Sequence, residues 1–371
     1  MRRRRMGALH VGEPRVVSFQ QVSKNNNNNG QQGHHGAVVE EIHGLIRVYK
    51  DGHVERLPAM PDVPCTWGST AVQGPGGVIA RDVVVDRATG VWARLYAPAE
   101  SGNKVPVVVY FHGGGFCVGS AAWSCYHEFL AQLPIKSGCA VMSVDYRLAP
   151  EHRLPAAFDD GLAAVRWLRQ QAASCRNNDD LSWWRGRCRF DSVFLMGDSA
   201  GATIAFHVAA RLGQGHLGAS LGPLCVRGAI LVQPFFGGEA RTASEKTMAQ
   251  PPRSALSLST SDSYWRMALP AGAGRDHPWC NPLSSSSSRG APRLDTLPLP
   301  PVLVCIAEAD ILRDRNLELC KALRKAGKSV EQAMYGGVGH AFQVLHNYHL
   351  SQPRTQEMLA HIKAFVSARS S

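Results

Sequence analysis

Residues 192–201 read SVFLMGDSAG, an apolar stretch that leads directly into the pattern Gly-x-Ser-x-Gly around Ser199. Small and apolar residues follow it at the spacing of a helix. In this arrangement the serine lies on a strained turn between a strand and a helix, and the turn leaves no room for side chains two positions before and after it. The N–H groups at the start of the helix stabilise negative charge next to the hydroxyl. The stretch therefore predicts that Ser199 is a nucleophile.

A glycine-rich loop precedes this stretch in the chain. A short, continuous apolar run, typical of a strand buried on both faces, ends in HGGGF at residues 112–116, called the glycine loop below. Successive glycines allow backbone N–H groups to turn toward one point, as acyl transfer requires for its oxyanion. We therefore predict that the amides of Gly113, Gly114 and Ala200 form an oxyanion hole. His112 lies on the buried strand, so we expect it to anchor the loop rather than to act as a base.

The acid and base that a serine nucleophile requires are predicted at the ends of two later strands. A serine hydroxyl reacts slowly until an imidazole accepts its proton, and the imidazole needs a carboxylate to fix its tautomer. One apolar run is followed by Asp310, and the next predicted strand, 329–335, leads into the sequence GGVGHAF, which contains His340. Because parallel strands of one sheet end at the same edge, both side chains can reach Ser199. We predict a catalytic triad of Ser199, His340 and Asp310.

Other titratable residues near these positions are alternatives. They are Glu308 and Asp314 for the acid, and His346 and His349 for the base. Glu308 lies closer to its strand, Asp314 has the position of an exposed residue in the first turn of a helix, and both histidines lie in a polar segment typical of a surface. Asp198 is expected to line the pocket. It is a poor candidate for the triad acid, because side chains adjacent in sequence diverge.

Apolar runs of strand length alternate with helical segments over most of the chain. Strands are predicted at 78–85, 91–96, 106–112, 139–145, 190–196, 226–232, 302–306 and 329–335, and helices at 126–133, 156–173, 200–212, 316–326 and 356–366. This alternation predicts βαβ units and therefore an α/β fold with a mostly parallel, doubly wound central sheet.

The motifs resemble those of a known family. HGGGF at 112–116 and GDSAG at 197–201 are similar to the two signatures of the hormone-sensitive-lipase-like branch of the α/β-hydrolases, specifically the plant carboxylesterases, and DYRLAPE at 145–151 is similar to a structural motif there. The resemblance covers residues 38–368. It implies an eight-stranded sheet, a cap built partly from the N-terminal segment, and hydrolysis of carboxylic esters without a cofactor. The related gibberellin receptors lack the triad histidine, so the presence of His340 favours an enzyme.

The remaining regions define the expected domain organisation. Residues 1–36 contain a basic cluster and an Asn-rich stretch, and we expect a disordered low-complexity tail rather than a secretion signal. Residues 37–371 are then the α/β-hydrolase domain, with a helical cap contributed by about 37–75 and 237–275. The Pro- and Ser-rich segment 278–301 is predicted to be a long surface loop.

Composition and charge exclude several function classes. The net charge is +11, but no run of basic and aromatic residues follows the N-terminal cluster, so we expect no nucleic acid partner. No apolar stretch approaches the roughly 18 residues of a membrane helix, so we expect no membrane insertion. The 10 cysteines contain no Cys-x-x-Cys pair, and we predict no metal site and no disulfide framework. That no cofactor is needed is what the family resemblance implies. A cytoplasmic location is expected; the alternative is that Arg2 to Arg5 act as a nuclear or organelle address.

The predicted function is that of a serine carboxylesterase, which hydrolyses small-molecule esters through an acyl-enzyme intermediate. Two alternatives use the same fold. One is a catalytically silent receptor that binds a hormone-like small molecule under the cap, and the other is a lyase that uses the glycine loop to stabilise an enolate. The sequence predicts no particular oligomeric state.

Overall fold

A computed structural model of the chain describes residues 35–64, 72–74, 77–100, 102–174, 179–215, 221–248, 254–284 and 294–370. Its strands are β1 (Val38–Ile42), β2 (Ile46–Tyr49), β3 (Val54–Arg56), β4 (Val72–Gly74), β5 (Val78–Asp86), β6 (Val91–Pro98), β7 (Val105–Phe111), β8 (Ala140–Asp145), β9 (Cys188–Asp198), β10 (Val226–Val232), β11 (Val302–Ala307) and β12 (Val330–Tyr335). Its helices are α1 (Ser124–Lys136), α2 (Ala156–Ala173), α3 (Ser182–Arg185), α4 (Ala200–Gly213), α5 (Ala243–Thr247), α6 (Leu258–Ala268), α7 (Arg313–Lys325), α8 (Phe342–Leu345) and α9 (Ser351–Arg369).

Strand β7 lies between two buried layers. Val107 and Val109 pack into one apolar cluster with residues of α2 and α4, whereas Val108 and Tyr110 pack into the other with residues of α1 and α9. A strand that is covered on both faces can be apolar at every position, which explains the continuous apolar run before the glycine loop.

The main sheet is mostly parallel. Within the described residues it has nine strands, in the order β12-β11-β10-β9-β7-β8-β6-β5-β4. The strands from β12 to β8 pair in parallel, and β6, β5 and β4 continue the sheet by antiparallel pairing. The predicted α/β fold with helices on both faces is confirmed. The resemblance implied eight strands; the additional one is the short β4, which pairs with β5 at the antiparallel edge.

The parallel strands bring the sequence motifs to one edge of the sheet. The glycine loop follows β7, Ser199 follows β9, Asp310 follows β11 and His340 follows β12. In open α/β sheets, ligands bind at this carboxyl-terminal edge of the strands. The topology therefore collects the predicted site residues in one place.

The predicted helices are present, but most of them begin or end at residues other than those predicted. Helix α9 is longer at both ends than the predicted 356–366, and α1 continues to Lys136 although Pro134 lies inside it. A proline near the end of a helix removes only one backbone hydrogen bond, so a short continuation is possible. The elements α3 and α5 were not predicted, because stretches of 4 and 5 residues are too short to show a helical period.

A second, three-stranded sheet of β1, β2 and β3 lies beside α6. The Arg266 guanidinium of α6 donates to Glu40 of β1 at 2.8 Å, and Arg56 of β3 donates to the carbonyl of Cys117, just after the glycine loop, at 2.7 Å. The two segments that were predicted to contribute a cap therefore contact each other. The first of them forms strands rather than helices where it is described, because its strands are rich in the β-branched residues Val and Ile. That these segments close over a ligand stays a prediction.

Some predictions fall on parts of the chain outside the described residues. The predicted tail lies there except for its last two positions, as do residues 285–293 of the predicted surface loop. In the described part, the eight cysteines carry free thiols. No helix of that part combines the length and apolar character that crossing a membrane requires.

Helix α4 begins so close to the end of β7 that Gly201 has no room for a side chain. A Cβ at this position would overlap the backbone carbonyls of Phe111 and His112, which cannot move aside as the end of a flexible side chain can. We expect Gly201→Ala to lower the free energy of unfolding by about 3 kcal/mol, the upper end of the usual cost of overpacking. Urea denaturation measures this change.

Gly102→Ala is the matched control, because a Cβ there has no neighbour within 4 Å. Its free energy of unfolding should stay close to that of the wild-type protein. Equal stability of the two variants would contradict the close approach of α4 to β7.

Candidate active site

Ser199 occupies the turn between β9 and α4 in a backbone conformation that side-chain-bearing residues rarely adopt. Its φ is 52° and its ψ is −121°. The turn is held in place because the Ser199 N–H donates to the carbonyl of Val232 at 2.8 Å and the Ser199 carbonyl accepts from the N–H of Phe235 at 3.1 Å. A Cβ on Gly197 would overlap the backbone of Gly201. The two glycines of the motif therefore permit the strained turn that presents the hydroxyl.

The structure brings the three predicted triad residues together. The Ser199 Oγ lies 2.8 Å from His340 Nε2, and His340 Nδ1 lies 2.7 Å from Asp310 Oδ2. All three side chains are buried. Because the buried carboxylate can only accept, the arrangement requires a proton on Nδ1 and leaves Nε2 free to accept the serine proton. The geometry is that of a nucleophile next to an oriented base.

Separate contacts hold the acid and the imidazole. Asp310 Oδ1 accepts from the N–H of Leu312 at 3.0 Å, which leaves Oδ2 for the imidazole. The His340 N–H donates to Ser254 Oγ at 3.0 Å, and the next N–H, that of Ala341, donates to Gln233 Oε1 at 2.7 Å. The loop after β12 is therefore fixed on both sides of the histidine.

The alternatives to the triad residues are engaged elsewhere. Glu308 accepts from the N–H of Gly337 at 2.8 Å, and Asp314 accepts from the N–H of Ser244 at 2.6 Å. His346 ends the short helix α8, and the ring of His349 lies 4.0 Å from that of Tyr348. The structure thus brings Asp310 and His340, rather than these four residues, to Ser199.

The glycine loop departs from one prediction. The Gly113 N–H donates to the hydroxyl of Tyr126 at 2.8 Å, so it points into the protein and not toward Ser199. Gly114 and Gly115, with φ values of 106° and 59°, turn the chain in conformations that favour glycine. In the part of the chain that the structure describes, the amides of Gly114, Gly115 and Ala200 have no hydrogen-bond acceptor. The amides of Gly114 and Ala200 therefore stay predicted oxyanion donors. The prediction for Gly113 is wrong, because its N–H is bound to Tyr126.

His112 makes the anchoring contact that the sequence predicted. Its Nδ1 lies 2.8 Å from the carbonyl of Gly113, and its ring stacks on that of Tyr146 at 4.3 Å between centroids. The Tyr146 hydroxyl donates to the His112 carbonyl at 2.8 Å. Histidine and tyrosine together hold the start of the glycine loop.

Asp198 immediately precedes Ser199 in the chain, and its side chain is buried rather than lining an open pocket. Its carboxylate accepts from the hydroxyls of Tyr110 at 2.7 Å and Tyr126 at 3.2 Å, and Gln343 Nε2 lies 3.5 Å away. Burial raises the pKa of Asp198 to about 6, although the tyrosine hydrogen bonds and the nearby His340 oppose this shift.

Aromatic residues surround the site on the side of α6. The ring of Tyr264 packs against Gly115, where a Cβ would overlap it. Phe235 stacks on Trp265 at 4.8 Å between ring centroids, and the ring of Phe116 lies 5.4 Å from that of Trp265. The surroundings of the serine are therefore largely apolar. In the described ranges, no group of three or more His, Cys, Asp or Glu side chains could hold a metal ion.

Sequence reasoning missed several residues that support the site. They are Tyr126, Gln233, Ser254 and Gly115. The first three act through contacts with residues that are distant in sequence, and no local pattern marks them. Gly115 did carry a signal, because it belongs to the same glycine run as the two residues that were chosen.

A buried serine, histidine and aspartate at the carboxyl edge of a mostly parallel sheet define an α/β-hydrolase. Comparisons with known proteins agree. The model of a family described as the alpha/beta hydrolase fold matches residues 108–344. A "probable carboxylesterase 6" of Arabidopsis thaliana is 47% identical over 341 residues, which cover 90% of this chain and 92% of the relative. The chain therefore belongs to the α/β-hydrolase-fold family and, within it, to the plant carboxylesterases of the hormone-sensitive-lipase-like branch, as its motifs predicted.

Two further similarities show the range of this family. A 2-hydroxyisoflavanone dehydratase of Glycyrrhiza echinata is 34% identical over 340 residues, which cover 88% of this chain and 95% of that protein. Among solved structures, an esterase of Pyrobaculum calidifontis superposes with a TM-score of 0.64 at 26% identity, over 80% of this chain and 87% of that chain.

The buried Asp198 carboxyl predicts a pH dependence of stability. Its pKa in the folded protein, about 6, lies above the ordinary value of 3.8. Its contribution to stability is therefore fully present below pH of about 4 and is lost as the pH rises through about 6. We expect the free energy of unfolding of the Asp198→Asn variant to rise relative to that of the wild-type protein over this interval. Urea denaturation at several pH values measures it, and a difference that does not change with pH would contradict the expectation.

Proposed function

We propose that this chain is a serine carboxylesterase that hydrolyses small carboxylic esters through an acyl-enzyme intermediate. The observation that carries the proposal is the continuous hydrogen-bond chain from Asp310 through His340 to the Ser199 hydroxyl, with distances of 2.7 and 2.8 Å. A serine that only binds a ligand needs no proton acceptor, whereas a nucleophilic serine does.

In the first half of the reaction, His340 Nε2 accepts the hydroxyl proton while Ser199 Oγ bonds to the ester carbonyl carbon. The carbonyl electron pair moves onto oxygen, and this oxyanion accepts hydrogen bonds from the amides of Gly114, Gly115 and Ala200. The bond to the alcohol oxygen then breaks, and the imidazolium returns its proton to the departing alcohol. The protein is left acylated on Ser199.

In the second half, water replaces the alcohol. His340 accepts a proton from the water as its oxygen attacks the acyl carbon, and the second tetrahedral intermediate is stabilised by the same amides. The Ser199 oxygen leaves with the proton from His340, and the acid is released. Asp310 remains ionised throughout and stabilises the imidazolium. Every step uses groups of this chain, the ester and water.

The aromatic surroundings support a class of substrate. Phe116 is the last residue of the glycine loop, and the ring of Tyr264 in α6 packs against Gly115 of that loop. The N–H of Phe235 donates to the Ser199 carbonyl. Apolar linings favour apolar groups because burial removes their surface from water. We propose esters in which the acyl or alcohol part is apolar. Equal yields of acid and alcohol would distinguish hydrolysis from the reaction of a lyase.

Replacement of the nucleophile tests the proposal. We expect Ser199→Ala to lower the turnover of p-nitrophenyl butyrate by at least about 10⁴-fold, as loss of the nucleophile does in other serine hydrolases. Ser192→Ala is the matched control: this serine lies on the same strand, is buried, and bonds to Ser370 at 2.9 Å away from the site. The control should keep wild-type turnover. Hydrolysis that persists in Ser199→Ala would refute the proposal.

Replacement of the acid tests the role of Asp310. An asparagine can donate to Nδ1 and so stabilises the tautomer in which Nε2 carries the proton and cannot act as a base. We expect Asp310→Asn to lower kcat by about 10⁴-fold with a similar thermal midpoint. Glu308→Gln changes the nearest alternative acid and should leave kcat unaltered. The assignment is wrong if the Glu308 variant loses activity and the Asp310 variant does not.

A further inference from the structure

The hydroxyl of Tyr126 connects the two halves of the proposed site. Tyr126 lies in α1 and is buried. Its hydroxyl accepts from the Gly113 N–H at 2.8 Å and lies 3.2 Å from Asp198 Oδ2, to which it donates. Gly113 belongs to the glycine loop, and Asp198 immediately precedes Ser199. One oxygen atom therefore joins the loop that faces the substrate carbonyl to the turn that carries the nucleophile.

Only a group that both accepts and donates can make this connection. The amide of Gly113 is a donor, and the ionised carboxylate of Asp198 is an acceptor; a hydroxyl can satisfy both at once. The fit is close, since a Cβ on Gly113 would lie 2.7 Å from Asp198 Oδ2 and 2.9 Å from the Tyr126 hydroxyl. Gly113 is thus a glycine because the loop backbone lies directly against these two groups.

The contact between Tyr126 and Gly113 also affects the positions of the next two amides, those of Gly114 and Gly115. Gly114 and Gly115 come immediately after Gly113, whose N–H is bound to Tyr126. The start of the loop is also held by His112. Oxyanion donors act only if they are fixed about 3 Å from the position of the developing charge, and small displacements are costly. A loop that loses its attachment to Tyr126 can move away from Ser199.

We propose that Tyr126 is a positioning residue, whose hydroxyl sets the distance between the oxyanion donors of the glycine loop and Ser199. The inference rests on the proposed esterase function and names a residue that acts through Gly113 and Asp198 rather than on the substrate itself.

Tyr110 provides a matched control. Tyr110 lies in β7, on the face of the sheet that packs against α1 and α9. Its hydroxyl donates to the other oxygen of the same carboxylate, Asp198 Oδ1, at 2.7 Å. Tyr126→Phe and Tyr110→Phe each remove one hydroxyl and one hydrogen bond to Asp198. Only Tyr126→Phe also removes the hydroxyl that accepts from the Gly113 N–H at 2.8 Å. A purely structural role of the Asp198 contacts would affect both variants alike.

The experiment compares the two variants in kinetics and in binding of an oxyanion mimic. We expect Tyr126→Phe to lower kcat for p-nitrophenyl butyrate by about 10- to 100-fold, less than the loss of a whole oxyanion donor, with KM little changed. The affinity for an aryl trifluoromethyl ketone, which forms an anionic adduct with the serine, should fall by a similar factor. The shape of the pH profile should not change, because the contacts of His340 are intact. Tyr110→Phe should keep kcat close to the wild-type value, with a comparable change in thermal midpoint.

Hydrogen exchange supplies a readout that does not depend on activity. In the wild-type protein the Gly113 amide should be protected, and its exchange should become faster in Tyr126→Phe but not in Tyr110→Phe. If Tyr126→Phe does not fold, an unprotected Gly113 amide in the wild-type protein still overturns the inference.

The experiments distinguish a failure of this inference from a failure of the proposed function. Equal losses of kcat in both tyrosine variants, or full activity of Tyr126→Phe, would overturn the positioning role while the wild-type protein remains an esterase. A wild-type protein without hydrolytic activity would refute the esterase, and hydrogen exchange would still decide whether Tyr126 holds the loop.

Discussion

The close approach of α4 to the end of β7 is the constraint on which the rest of the site depends. Gly201 touches the carbonyls of Phe111 and His112, and no larger residue fits there. Because the helix begins at this point, the amide of Ala200 and the glycine loop come to lie beside each other, and Ser199 is forced into a strained turn with a φ of 52°. One backbone contact therefore places both Ser199 and the amides that we propose to stabilise the oxyanion.

The residues that could be predicted from the sequence all lie directly after parallel strands. Ser199, Asp310 and His340 each follow a predicted strand, and parallel strands of one sheet end at the same edge. Local sequence patterns are therefore enough to predict the positions of these side chains, and their contacts need not be known. The α/β architecture was predicted from the alternation of strand-length apolar runs with helical segments. The ends of several helices and short helices such as α3 were not predicted, since a stretch of four residues is too short to show a period.

The remaining features depend on contacts between distant parts of the chain. Gly113 was predicted to bind the oxyanion, but the hydroxyl that its amide contacts comes from Tyr126 on the following helix. Gln233 fixes the loop of His340 from the end of β10 through the N–H of Ala341. Neither pairing has a signature in the sequence, because each depends on how two elements pack. The small sheet of β1 to β3 was missed for another reason: its strands have only 5, 4 and 3 residues, too few to show a period.

The central claim is that Ser199 is the nucleophile of an esterase, and covalent labelling tests it most directly. The protein is treated with diethyl p-nitrophenyl phosphate, which transfers a phosphoryl group to an activated serine and releases p-nitrophenol. Intact mass and peptide mapping then measure how much label is bound and where. The account predicts one diethylphosphoryl group per chain on Ser199. An unlabelled protein, or a label on another residue with Ser199 unmodified, would contradict it.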